Sequence, residues 1–398
     1  MKPYRYAFRH LAATTVIVLL PVASAHALDA NAFGTRLKGL VAEQGADINW
    51  TSLTESGSQI VLEGVTIGAQ GKPDKVNLGD VTLNDVTEEN GGYRVGTLTL
   101  PNYSTTEEGV TVDISGATIN GLVLPAENSN DVMASLMLYS DAKLANVSVK
   151  KGDKSLASLE NLHVEITPIA DGKPLEFSAA AEKFSADLSQ TEDAQTKAVI
   201  DALGYQSIAG SLTMAGSWQP KDGHIALSKY NLSVENAGTL GMTFDLGGYT
   251  PDFIKSIKDL QKQIAAQPAG ADNSAQGLAV LGLMQQLTFG SASIRWDDDS
   301  LTKKALDFIA SQQGQKAEDI ANQAKAIVPF AMMQLNNPEL TKQVTEAVNK
   351  YLTDPKSIEI KAKPGSEVPF AVIMAGAMSG QPQELTKTLA VSVSANED

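Results

Sequence analysis

A six-residue pattern recurs along the first half of the chain: an aliphatic residue, two spacers, an apolar residue, one intervening residue and another apolar residue. Its copies are Leu62–Ile67 (LEGVTI), Leu78–Leu83 (LGDVTL), Ile119–Leu124 (INGLVL), Leu144–Val149 (LANVSV), Leu159–Val164 (LENLHV) and Leu227–Leu232 (LSKYNL). A β-strand turns successive side chains to opposite faces, so the first and fourth positions should face apart. Both are apolar in every copy. Either the spacers hold an inserted residue, a β-bulge, or they form a two-residue hairpin. Asn120-Gly121 carries a strong hairpin signal. Ala-Asn, Glu-Asn and Ser-Lys fit primed turns poorly, and hairpins everywhere would leave arms of only a few residues. Bulges are therefore expected at most copies. Repeated bulges bend strands, and a long sheet bent this way closes into a barrel, a half-pipe or a groove. The alternative is a plain β-sandwich.

Two regimes flank position 250. Residues 28–250 are rich in Val, Thr, Leu, Ser and Gly in short alternating runs, which read as strands. One helix, Glu192–Leu203, interrupts them. Residues 251–398 read as helices, over Pro251–Ala266, Gln276–Leu287, Leu301–Gln313, Ala317–Leu335 and Pro338–Leu352, with a loop at Gln267–Ser274. A short helical patch is expected near Phe370–Met378. Returning strands are expected at 288–296, 357–362 and 389–395. The expected fold class is α+β: a long, curved, mostly antiparallel β-sheet (groove, half-pipe or open barrel) packed with C-terminal helices.

Residues 1–27 have the form of a cleavable export signal. Lys2, Arg5 and Arg9 precede the ten-residue run Leu11–Leu20, and Ala25-His26-Ala27 is an A-x-A cleavage site, with the cut expected after Ala27. A run of ten cannot cross a bilayer, which needs roughly 20 residues. No later run approaches that length, so no membrane-spanning segment is expected in the mature chain. Losing residues 1–27 removes three Lys+Arg and no acid, so the formal charge moves from -15 to −18. The absence of Cys suits an oxidising compartment, and the expected location is the periplasm. It also excludes a disulfide scaffold, a thiolate nucleophile and zinc–thiolate or iron–sulfur sites. The acidic balance speaks against nucleic acid and against simple adhesion to anionic lipid.

The repeated V-x-L-G-D-V-T-L-type segments behind a signal peptide resemble the sheet-forming repeats of AsmA-like envelope proteins. Gly216–Pro220 (GSWQP), Arg295–Leu301 (RWDDDSL), Asp354-Pro355 and Val391–Asn396 (VSVSAN) look like an uncharacterised family of exported bacterial proteins. The AsmA likeness implies a sheet folded around an apolar groove that handles lipid.

Chemistry-bearing motifs are few. No G-x-S-x-G elbow, phosphate loop, dinucleotide fingerprint or H-E-x-x-H occurs. The mature chain keeps two histidines, His163 and His224, read as an outward strand residue and a solvated strand start. Neither is expected to have a second His or an acid at metal-ligand spacing. Asp297–Asp299 could bind a hard cation, but capping of the helix at Leu301 by Asp299 or Ser300 is the simpler reading. Ser300-Leu301-Thr302-Lys303 matches S-x-x-K, a minor hydrolase alternative. No catalytic residue, metal or cofactor is expected. Ile327, Val328, Met332, Met333 and Leu335 form an apolar stripe near Pro329 and are the candidate groove residues. The expected function is a periplasmic, non-enzymatic envelope protein that binds a lipid or other long apolar ligand. The alternative is an envelope scaffold whose partners are other proteins.

Overall fold

The computed structural model describes residues 28–127, 138–169, 173–191, 193–265, 274–379 and 382–397. The expected export signal and the Gln267–Asn273 part of the expected loop lie outside them, as does Glu192.

The chain opens with a helix, α1 (Ala30–Glu43), followed by β1 (Ala46–Asn49), β2 (Ser52–Ser56), β3 (Gln59–Ala69), β4 (Lys75–Glu89), β5 (Gly92–Thr99), β6 (Tyr103–Glu107) and β7 (Val110–Leu124). Then come β8 (Asp141–Lys151), β9 (Lys154–Thr167), β10 (Leu175–Asp187), α2 (Ala194–Leu203), β11 (Ser207–Gln219), β12 (His224–Val234) and β13 (Gly238–Gly247). The C-terminal part holds α3 (Pro251–Ala265), α4 (Ser274–Met284), β14 (Thr288–Asp298), α5 (Leu301–Gln313), α6 (Ala317–Met332) and α7 (Pro338–Thr353). It ends with β15 (Ser357–Ala362), β16 (Val368–Pro369), α8 (Phe370–Met378), α9 (Pro382–Thr388) and β17 (Val391–Ala395).

All seventeen described strands belong to one antiparallel sheet. β1 and β2 share one flank of β3, β5 and β6 share one flank of β7, and β15 and β16 share one flank of β14, so the strands form fourteen lanes. The lanes follow chain order, and the sheet stays open between the β1–β2 edge and the β17 edge. The fold class is thus α+β with one long open sheet, and the barrel and sandwich alternatives fall away.

In four of its six copies the recurring pattern resolves as a positive-φ residue inside a continuous strand. Gly64, Gly79, Gly121 and Asn161 occupy spacer positions at φ 59, 80, 65 and 52. Asp85 (φ 53) does the same two residues beyond a copy. Each such residue returns the strand to the same face three positions on. Leu62 and Val65 are 1% and 0% exposed in the same core, and Leu83 and Val86 are 0% and 2% exposed. Asn120-Gly121 makes no hairpin, because β7 runs straight through it and the positive φ of Gly121 is used mid-strand. Asp and Asn side chains replace some of the interrupted ladder bonds: Gly64 N donates to Asp80 Oδ1 at 2.8 Å, and Gly79 N to Asn77 Oδ1 at 2.9 Å. This is why Gly, Asn and Asp recur among the spacers.

The sequence reading missed α1. Asp29 caps it, accepting from Ala32 N at 2.9 Å, and Arg36 Nη2 donates to Ala126 O at 3.1 Å beyond β7. Phe33, Leu37, Leu40 and Val41 seal the apolar face of β3–β5 and the end of β7. Each such side chain contributes roughly 1.5–3 kcal/mol. At the other end α7 packs on β15 and β17, where Ala347 and Tyr351 join Ala395, Trp296 and Ile358.

Candidate functional site

Direct register partners in a sheet share a face, so the pairing shows what each face carries. One row runs from Ala117 on β7 through Leu144, Leu162, Ala181, Leu212, Leu232 and Leu240 to Trp296, Ile358 and Ala395 on β17. It crosses ten strands without a polar residue. A parallel row carries Ile166, Phe177, Gly216, Leu227, Phe244, Ala292, Ala362 and Val391. The alternate positions are polar, as in Thr118, Lys143 and His163. Between α1 and α7 the apolar rows form a trough across β8–β13. Leu144, Leu162, Leu212, Leu232 and Leu240 are only half-buried there, whereas Ile60, Leu83 and Val95 under α1 are at 0%.

Two glycines shape its floor. A Cβ on Gly216 would fall 2.4 Å from Phe177 Cζ, and one on Gly210 would fall 2.6 Å from Phe184 Cζ. The phenyl rings thus lie across the neighbouring strand, where any side chain would displace them.

The candidate groove residues lie elsewhere. α6 packs against α5 and α7. On it Ile327 is 62% exposed, and Met333, just past its end, is 69% exposed. Val328, Met332 and Leu335 are half-buried. Phe330, at 73%, completes a ridge with Ile327 and Met333. The sequence pointed to a Met-bearing helix, but strand residues line the trough. The signal that finds them is the repeat itself, once the register is known.

Asp297, Asp298 and Asp299 do not converge. Asp297 takes Arg295 at 2.8 Å, while Asp298 Oδ1 accepts from Thr302 N at 2.9 Å, Thr302 Oγ1 at 2.8 Å and Trp296 Nε1 at 3.0 Å. Ser300 sits at the N-cap position of α5, but its hydroxyl donates to Asn236 O, and the side-chain cap comes from Asp298. Lys303 Nζ is 2.6 Å from Asp307 Oδ2, so the S-x-x-K residues Ser300 and Lys303 have separate partners.

Both histidines have acidic neighbours, contrary to expectation. His163 Nε2 contacts Asp141 Oδ2 and lies 3.6 Å from Glu165 Oε1. His224 Nε2 is 2.6 Å from Asp245 Oδ1. Glu165 was readable, since i and i+2 on a strand share a face; Asp141 and Asp245 come from other strands and were not.

A model of a family described as "Uncharacterized protein" matches residues 231–396, the stretch holding β13–β17 and α3–α9. No curated protein matches the chain. Among the described residues, no helix is long and apolar enough to cross a membrane.

Proposed function

We propose that this protein is a periplasmic, non-enzymatic envelope protein that holds a long apolar ligand, of the acyl-chain class, along the trough of β8–β13. The observation that carries this reading is the unbroken apolar row from Ala117 to Ala395, covered by α7 at its Trp296–Ala395 end, whose leucines on β8, β9, β11, β12 and β13 are only half-buried. Five lane spacings separate β8 from β13, roughly 24 Å at about 4.8 Å each. One leaflet of bilayer hydrocarbon is roughly 15 Å thick, so the trough can take a full acyl tail. The AsmA-like character of the repeats and the export signal agree with this reading.

Mass spectrometry of organic extracts from gently purified protein, with titration of a fluorescent fatty-acid probe, tests it. Co-purified lipid and saturable probe binding are expected. Protein that carries no lipid and binds no probe sinks it. The second reading, a scaffold that docks another envelope protein, draws on the exposed ridge of Ile327, Phe330 and Met333. Location has its own test: deleting Leu11–Leu20 should leave the protein in the cytoplasm, and continued export would refute the signal.

A further inference from the structure

On the polar face of the sheet, Asp141, His163 and Glu165 bring three potential ligand atoms within 4.8 Å of one another. Asp141 at the start of β8 is the direct register partner of Glu165 on β9, and His163 lies two residues before Glu165 on the same face. We propose that these three side chains form a binding site for a divalent transition-metal ion of the zinc class. This site is on the face opposite the apolar trough and does not depend on the ligand assigned there.

The donor set is one imidazole nitrogen and two carboxylate oxygens. Imidazole favours zinc, copper or nickel over calcium and magnesium, which prefer oxygen alone. Zinc takes nitrogen and oxygen ligands at roughly 2.0–2.2 Å, which sets tetrahedral ligand atoms about 3.4 Å apart. His163 Nε2 and Glu165 Oε1 already stand 3.6 Å apart. Asp141 Oδ2 is in direct contact with His163 Nε2, so a bound ion would replace this hydrogen bond and move the carboxylate back by about 1 Å.

The surroundings orient the carboxylate. Thr97 Oγ1 donates to Asn120 Oδ1 at 2.9 Å, which turns the Asn120 amide nitrogen towards Asp141. Asn120 Nδ2 then donates to Asp141 Oδ1 at 2.6 Å, leaving Oδ2 for the ion. Such outer hydrogen bonds are the usual means of fixing a metal-binding carboxylate. Lys143 Nζ, 3.5 Å from Asp141 Oδ1, is exposed on a flexible stem and can swing clear. Glu165 also borders an open hollow of about 410 Å³ with Thr167, Ser178 and Ser217 on its wall. With His163 and Glu165 exposed at 37% and 62%, the cluster is open to solvent, where water or a small anion can complete the coordination.

Chelator-competition titration of the purified protein with Zn²⁺ tests the site. One ion per chain is expected, bound tighter than about 100 µM. His163→Ala and Asp141→Asn should each weaken binding at least about tenfold, and Asn120→Ala should weaken it by about tenfold. His224→Ala, on a different strand pair, should bind as the unaltered protein does, and millimolar Ca²⁺ should not compete. Far-ultraviolet circular dichroism and the melting temperature establish that each variant is folded. Absence of one-to-one Zn²⁺ binding, or undiminished affinity in folded His163→Ala, overturns the proposal.

Discussion

Asn161 Nδ2 donates a 2.6 Å hydrogen bond to Glu182 Oε2 across β9 and β10, at a register position where neither residue joins the backbone ladder. The same gap continues to Ala145 on β8 and Gly116 on β7, so four strands are interrupted along one line. Pleating is weakest along that line, and the sheet can fold there while the strands remain continuous.

Asn161 holds φ 52, which a β-branched residue adopts only under strain. Asn161→Val should destabilise by about 1–3 kcal/mol, whereas Asn161→Gly should cost less despite losing the bond to Glu182. Urea unfolding of the two variants compares them directly. Equal losses would mean that the hydrogen bond, not the backbone conformation, is what the position requires.

Gly216→Ala places a methyl group 2.4 Å from both Ala226 O and Phe177 Cζ. The ring can swing away, but the backbone carbonyl cannot without disturbing the β11–β12 ladder. A loss of roughly 1–3 kcal/mol is expected, measured by thermal or chemical unfolding.

Leu62 and Leu212 distinguish sealed from open apolar surface. Leu62→Asp buries a carboxylate beneath α1, where Leu62 is 1% exposed, and should cost roughly 3–5 kcal/mol or more. Leu212→Asp lies in the open stretch and should remain folded with a smaller loss, while fatty-acid probe affinity falls. A Leu212→Asp protein as unstable as Leu62→Asp would show the trough to be closed core.

Asp298 and Ser300 separate in the same way at the head of α5. Asp298→Ala removes the acceptor for Thr302 N, Thr302 Oγ1 and Trp296 Nε1 and should cost about 1–3 kcal/mol. Ser300→Ala removes one exposed bond to Asn236 O and should cost below about 1 kcal/mol. Denaturant midpoints for the pair check the order.

Asp187 gives a signed pH dependence. A hydrogen bond from Lys154, with further bonds from Ser189, holds its carboxyl at about 2, below the ordinary 3.8. The folded protein therefore releases this proton more readily than the unfolded chain. Its stabilisation is complete above pH 3.8 and disappears as pH falls through about 2. The stability gap between the unaltered protein and Asp187→Asn should close over that interval. A gap that is constant from neutral pH down to pH 2 would contradict the assignment.

Most of the sheet was legible because alternation and turn residues are local signals. The strand at Val110–Leu124 matches β7 to the residue, as does the helix at Leu301–Gln313. The breaks in alternation were legible too, because an apolar residue at the wrong phase demands an explanation, but an inserted residue accompanies them only at Leu62–Ile67, Leu78–Leu83 and Leu227–Leu232; at the other three copies each strand skips one residue and the register holds. Asn120-Gly121 misled because the same positive φ serves a hairpin or a mid-strand bend, and only the neighbouring strands decide which. α1 was lost beside the expected export signal, its apolar residues spaced among Gly34, Gly39 and polar positions. The trough could not be read, since a row across ten strands is made of residues far apart in sequence. The polar-face cluster shares that difficulty, because Asp141 meets His163 only through the β8–β9 register.

The chain-order arrangement of lanes bears on how such a protein can change over evolutionary time. Duplicating or losing one hairpin in the middle of the sheet rethreads nothing, because each lane answers only to the two beside it. Each inserted pair of strands would lengthen the trough by roughly 10 Å and leave α1 and α7 as end plates. Under the proposed acyl-chain reading, ligand length would then be measured in hairpins, a quantity that internal tandem duplication can adjust in single steps.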